Sequence, residues 1–266
     1  MSASTGIDEA SSYLVQVFGV MRRSFNGLVR PPSSPFRSEA AARMRRYAVW
    51  LLALGAVAVA GLMVFVDAWE IGLMPPRGTA SLWPARILTD FANDAYVLTA
   101  LPLAILIVAF VVPRSRENLR SRWLGLGTQF EYLFLAVLIP VLTGEVIKWV
   151  VGRGRPFVGG KANAFNFVPF NGTEAHFSLP SAHAITAFAL AFAVSAIWPR
   201  IRVVMFVYAI VILLTRLVLL AHHPSDVVAG AVIGVVGAMA VRYWFAARRL
   251  GFTIGGDGKI VPLSRH

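Results

Sequence analysis

Apolar residues in this chain gather into long blocks instead of alternating with polar ones. A helix that crosses a bilayer needs roughly 20 mostly apolar residues. Six blocks approach that length: Tyr47–Val66, Tyr96–Val112, Thr128–Val150, Ser181–Trp198, Ile201–Ala221 and Val227–Phe245. Hydrocarbon offers the backbone no water, so each block satisfies its own N–H and C=O groups as a helix. The pattern predicts an all-α bundle of six transmembrane helices over residues 47–247, with an extension at 1–46 and a tail at 248–266. Within the extension, Leu14, Val17, Phe18, Met21, Phe25 and Leu28 recur at helical spacing beside Arg22 and Arg23, until Pro31 and Pro32 stop the pattern. That segment is either a helix lying on an anionic leaflet or a partly disordered tail.

Composition points the same way. Hydrophobic residues make up 57% of the 266 and charged ones 14%, against about 25% charged in soluble domains. A net charge of +12 would suggest nucleic acid for a soluble protein. Here the cations lie between apolar blocks, and no nucleic-acid partner is expected. Eighteen of the 25 Lys and Arg fall on the side of the N-terminus, six fall on the other, and Arg216 lies inside the fifth block. Positive charge marks the cytoplasmic side, so both termini are expected there. The first block reads as an uncleaved anchor. The absence of cysteine excludes disulfides, thiolate nucleophiles and Cys-ligated metals.

With that topology, three outer segments carry the unusual polar residues. In the first, Lys148 ends the third helix, Gly152 and Gly154 loosen the chain, and Arg155-Pro156 follows. A Lys point charge and an Arg fork together suit a phosphate, although a snorkelling pair at a helix end has the same look. In the second, Pro180-Ser181-Ala182-His183 opens the fourth helix, with Ser181 as its cap. Such a terminus offers N–H groups to an anion, and His183 is placed to trade protons. In the third, Arg216 sits in an apolar helix, which is costly unless it faces a cavity or partner. His222 precedes Asp226 by four residues, so that the carboxylate is expected to accept from one ring nitrogen and leave the other basic. His223, three residues from Asp226, reads as the neighbour, not the nucleophile.

Together these segments resemble the type 2 phosphatidic acid phosphatase superfamily, which includes vanadium haloperoxidases and bacterial lipid phosphatases. Its signatures are Lys-x6-Arg-Pro, Pro-Ser-Gly-His and Ser-Arg-x5-His-x3-Asp. Here they read Lys148 to Arg155-Pro156; Pro180-Ser181-Ala182-His183, with Ala for Gly; and Thr215-Arg216, His222 and Asp226, with Thr for Ser. The resemblance covers about residues 90–245. It implies a bacterial inner-membrane enzyme with its site facing the periplasm, and phosphoryl transfer in two steps without a metal or other cofactor. His222, oriented by Asp226, is the implied nucleophile and His183 the proton donor. Lys148, Arg155, Arg216, Ser181 and the Ala182 N–H are implied to hold the phosphate. Outer carboxylates are scattered along the sequence, which also argues against a divalent-ion site.

The expected substrate is a lipid phosphate or diphosphate: undecaprenyl diphosphate, phosphatidylglycerol phosphate, phosphatidic acid or a lipid A phosphate. Rival readings are a lipid phosphotransferase with the same site, a non-enzymatic lipid-binding or transport protein, and a vanadate-dependent halide oxidase. Oligomeric state is not encoded in any feature of the sequence. The loop from Phe157 to Phe177, rich in Phe, either meets the outer leaflet or packs over the helices. Glu145, one turn before Lys148, is placed to pair with it or with a neighbour. Gly230 and Gly234 permit close packing within one subunit.

Overall fold

The structure is a computed structural model that describes residues 2–156, 158 and 163–263, with side chains from residue 12 onward. Phe157, Lys161 and Arg265, which entered the loop reading and the charge count, lie outside the described residues. Among those residues nine α-helices follow in order: α1 (Ser2–Val29), α2 (Arg37–Phe65), α3 (Asp67–Leu73), α4 (Trp83–Asp90), α5 (Asp94–Val111), α6 (Glu117–Val151), α7 (Ala182–Ile197), α8 (Arg202–Val218) and α9 (Pro224–Ala247). An antiparallel hairpin, β1 (Phe252–Ile254) with β2 (Ile260–Pro262), closes the chain, with Thr253 opposite Val261.

Five stretches are long and apolar enough to cross a membrane: Arg37–Phe65, Ala80–Arg114, Glu117–Val151, Pro199–Val218 and Pro224–Ala247. The sixth expected span is α7, a helix of 16 residues. At 1.5 Å per residue it is about 24 Å long, short of a hydrocarbon core of about 30 Å. It is short because Ser181 caps it at one end and Trp198-Pro199 breaks it at the other.

α7 packs against α6, α8 and α9. Its small side chains make that possible: Ala184, Ala187, Ala189 and Ala193 are all fully buried. A Cβ on Gly230 would lie 2.6 Å from the Ser181 carbonyl oxygen, and one on Gly234 would lie 2.5 Å from that of Ile185. These two glycines therefore serve packing of α9 on α7 within one chain, as the sequence suggested. Outside this centre, α2, α5 and α8 present large apolar side chains outward, among them Leu54, Ile107 and Phe206.

The connections run back and forth, so the start of α5, the end of α6, the start of α7, the end of α8 and the start of α9 share one end of the bundle. At the opposite end, α1 docks Val17 and Val20 onto Val108, Ala109 and Val112. The hairpin closes that end, its Phe252 ring edge-on to Tyr132 at 4.8 Å between centroids.

Candidate active site

Each element brings its chemistry to the same end for a local reason. Gly152 ends α6 in the left-handed conformation (φ 58°) and donates its N–H to the Lys148 carbonyl at 2.8 Å. The chain then turns back, and residues 152–154 pair with 166–168: Val168 N–H donates to Gly152 O and Gly154 N–H to Asn166 O, both at 2.8 Å. α7 opens at Ser181, whose Oγ accepts from the Ala184 N–H at 3.5 Å. α9 opens at Pro224, with His223 as its cap and Asp226 folding back to it.

The result is a cavity of about 350 Å³ lined by Lys148, Arg155, Ala182, His183, Arg216 and His222, with Asp94, Glu145, Glu174 and Phe177 around them. Three sequence-distant cations and two imidazoles thus share one space. Lys148 Nζ meets Glu145 Oε1 at 2.5 Å. Arg155 Nε donates to the Glu174 carbonyl at 3.0 Å, with the Glu174 carboxylate 3.6 Å away. Burial pushes the Arg155 guanidinium below its usual range, and Glu174 opposes that. Arg216 donates to Thr89 Oγ1 at 2.8 Å from α4. The Thr215 hydroxyl turns away, donating to the Ile212 carbonyl at 2.6 Å.

His222 is buried and its Nδ1 lies 2.9 Å from the Ser178 carbonyl. A ring nitrogen facing a carbonyl carries the proton, which leaves Nε2 as the free base. Burial holds this imidazole well below its ordinary pKa range. Arg216 pushes the same way, and Asp226 resists.

The partner of Asp226 differs from the one expected. Its Oδ2 accepts from the His223 N–H at 2.9 Å and lies 3.1 Å from His223 Nδ1, whereas His222 Nδ1 is 3.9 Å away. The physical reason is the helix start. With His223 as cap, Asp226 is the third residue of α9 and closes a capping box. Asp226 therefore faces His222 as a nearby charge and not as its hydrogen-bond acceptor; that acceptor is Ser178 O. Ser181, expected on the phosphate, is fully buried, caps α7 and donates its N–H to the Asp226 carbonyl at 3.0 Å. It is not among the residues lining the cavity, whereas Ala182 and His183 are.

Sequence reasoning missed Arg153, which entered only the charge count. It is fully buried and binds both Asp67, at 2.7 Å, and Asp226, at 2.6 Å. It also missed Asp67, Ser178, Ser225, Thr89 and Asp94. The one available signal was the first Arg of Gly152-Arg-Gly-Arg155, two residues before the motif's own. Among the loop aromatics, Phe165 and Phe170 stand exposed, Phe170 packs edge-on to Trp149, and Phe177 reaches the cavity.

Comparison with known proteins places the sequence among phosphatases. The sequence model of the PAP2 superfamily matches residues 130–250. A lipid A 1-phosphatase of Rhizobium johnstonii is 35% identical over 142 residues, which are 53% of this chain and 56% of that protein. A lipid A 1-phosphatase of Rhizobium etli is 30% identical over 226 residues, 81% of this chain and 91% of that protein. No solved structure matches the chain. A membrane-type helical bundle, a cationic cavity with two imidazoles and these relatives lead to one assignment: the chain belongs to the PAP2 superfamily and is a phosphatase of that type.

Proposed function

We propose that this phosphatase removes a phosphate from lipid A at the periplasmic face of a bacterial inner membrane, through a phosphohistidine on His222. The observation that carries the reading is the single cavity in which Lys148, Arg155, Arg216, His183 and His222 meet. The lipid A name of both relatives supports the choice among lipid phosphates.

In the first step His222 Nε2 attacks phosphorus in line. The P–N bond forms as the bond to the lipid oxygen breaks, and His183 gives that oxygen its proton. Lys148, Arg155 and Arg216 stabilise the charge on the equatorial oxygens, the main demand of phosphoryl transfer. The Ala182 N–H, at the free start of α7, adds a donor. In the second step water attacks phosphorus and passes a proton to His183. The P–N bond breaks, releasing phosphate and neutral His222. Asp226, 3.9 Å from His222 Nδ1, supplies negative charge while the ring carries the phosphoryl group.

The asymmetry of Lys and Arg supports cytoplasmic termini. On that topology α1 lies on the inner leaflet, with Leu14, Phe18, Met21 and Phe25 exposed along one side and Arg22 beside them.

The test is phosphate release by purified protein from lipid A 1-phosphate, lipid A 4′-phosphate, undecaprenyl diphosphate, phosphatidylglycerol phosphate and phosphatidic acid. Lipid A is expected to turn over fastest, in excess EDTA as without it, and His222→Ala is expected to be inactive. Preference for another lipid refutes the substrate, full turnover by His222→Ala refutes the nucleophile, and loss of activity in EDTA refutes metal independence.

A further inference from the structure

We propose that Asp67 and Arg153 are positioning residues for His222. They form a buried clamp, built from α3 and the loop after α6, that sets the catalytic turn through Asp226 and Ser178. The inference rests on the reading of His222 as nucleophile.

A guanidinium has five N–H donors, and Arg153 makes five contacts. Its Nε and one terminal nitrogen bond the Ala164 carbonyl at 3.1 and 2.7 Å. That terminal nitrogen also bonds Asp67 Oδ2 at 2.7 Å. The other bonds Ser225 Oγ at 2.5 Å and Asp226 Oδ1 at 2.6 Å. Asp67 in turn accepts from the Ser225 N–H at 3.0 Å and from its hydroxyl at 2.5 Å. The first turn of α9 is thereby fixed by α3, the helix that follows α2.

Ser178 carries this order to the nucleophile. Its N–H donates to the Arg153 carbonyl at 3.0 Å, its hydroxyl to Asp226 Oδ2 at 2.6 Å, and its carbonyl faces His222 Nδ1 at 2.9 Å. Movement of the Arg153 fork or backbone therefore moves the acceptor that orients the reacting ring. Two carboxylates around one guanidinium also leave a net negative charge behind His222, on the side of Asp226.

A role in folding alone does not explain this arrangement. Buried ion pairs are often no more stabilising than well-packed apolar residues of similar volume. Asp67, Arg153 and Ser178 are completely buried, and none is among the residues lining the cavity, so none is placed to touch the phosphate.

The experiment compares Asp67→Asn, Arg153→Lys and Ser178→Ala with wild type and His222→Ala in detergent. Turnover of the lipid phosphate that wild type hydrolyses best is measured per site titrated with inorganic vanadate. The clamp predicts a fall in kcat of roughly tenfold or more, with KM and vanadate inhibition within about twofold of wild type. It also predicts a shifted acid limb of the kcat profile in Asp67→Asn, because the charge behind His222 changes. A purely structural role lowers the yield of folded protein and leaves kcat per site and the pH profile unchanged, which overturns the proposal. If Asp67→Asn and Arg153→Lys do not fold, Ser178→Ala decides, since it loses one hydroxyl only; wild-type kcat there overturns the clamp. An inactive His222→Ala beside unaltered clamp variants removes the clamp alone, whereas an active His222→Ala removes the nucleophile assignment and the clamp with it.

Discussion

Arg216 gives the most direct measure of how the cavity holds a phosphate. Only 8% of this residue is exposed, and it lies at the end of an apolar helix. Thr89 fixes one terminal nitrogen at 2.8 Å, and Nε has no partner among the described residues. Changing Arg216 to Met removes a preorganised cation from a partly dry site, where loss of one such donor costs about 10²–10³ in kcat. Arg216→Lys keeps the charge but loses the fork. One charge-assisted hydrogen bond is worth about 1.5–3 kcal/mol, so kcat/KM is expected to fall about 10- to 150-fold. Thr89→Val leaves the guanidinium and removes only its anchor, at about 1 kcal/mol or roughly fivefold. The expected order of damage is Met, then Lys, then Thr89→Val. Phosphate release from the best lipid, with kcat and KM resolved, reads it, and inorganic vanadate inhibition reports on the phosphate-binding cavity independently. Arg216→Met within threefold of wild type, or Lys more damaging than Met, would refute the assignment of Arg216 to the phosphate.

Other outcomes follow from the same geometry. Glu145 competes with substrate for Lys148, and its side chain is 43% exposed, so their pair is solvent-screened. Glu145→Gln is expected to strengthen inhibition by inorganic phosphate by roughly two- to fivefold, the worth of up to about 1 kcal/mol; unchanged or weaker inhibition counts against that competition. His222 is held well below its ordinary value of 6.5, so the folded enzyme keeps a neutral nucleophile as pH falls past that value. The acid limb of kcat/KM that His222 sets is then expected well below the ordinary imidazole value of 6.5. The unfolded chain takes up a proton at His222 near 6.5 that the folded chain does not, so stability is present above that pH and is lost as pH falls toward the folded value. A melting temperature that rises on acidification through pH 6 would contradict this sign. At Gly152, a Cβ would lie 1.9 Å from the Val168 carbonyl oxygen, in a backbone with φ of 58°. The backbone conformation alone costs about 1–2 kcal/mol for an L-residue, so Gly152→Ala is expected to lower the melting temperature in detergent; a wild-type melt would show that the turn is not tight.

How much of this was legible in the sequence depends on the range of each interaction. Lys148, Arg155, His183, Arg216 and His222 were legible because each is out of place locally: a charge in or beside an apolar run, or an imidazole at a helix start. Spacing then supplied the order. The bundle was legible because a span needs only composition and length, but these say nothing of what surrounds α7. Apolarity does not reveal that a helix is enclosed by α6, α8 and α9 and so has no need to match a bilayer's thickness.

The geometry of Asp226 shows where spacing fails. A step of four residues from His222 to Asp226 suits a contact within one helix, but α9 begins only at Pro224, so His222 lies before the cap and the carboxylate reaches the cap instead. What holds His222 is the carbonyl of Ser178, 44 residues away. A carbonyl belongs to every residue, so no residue type announced it. The same holds for the clamp. Arg153 and Asp67 are 86 residues apart and meet in a dry interior, with no side-chain surface left exposed. In the sequence each looks like one more polar residue in an outer loop. Burial without exposure is what gives their charges consequence, because a low-dielectric surrounding makes an unpaired group expensive and a paired one rigid. A motif therefore names the groups that touch substrate, and the orientation of those groups is set by residues whose importance exists only after folding.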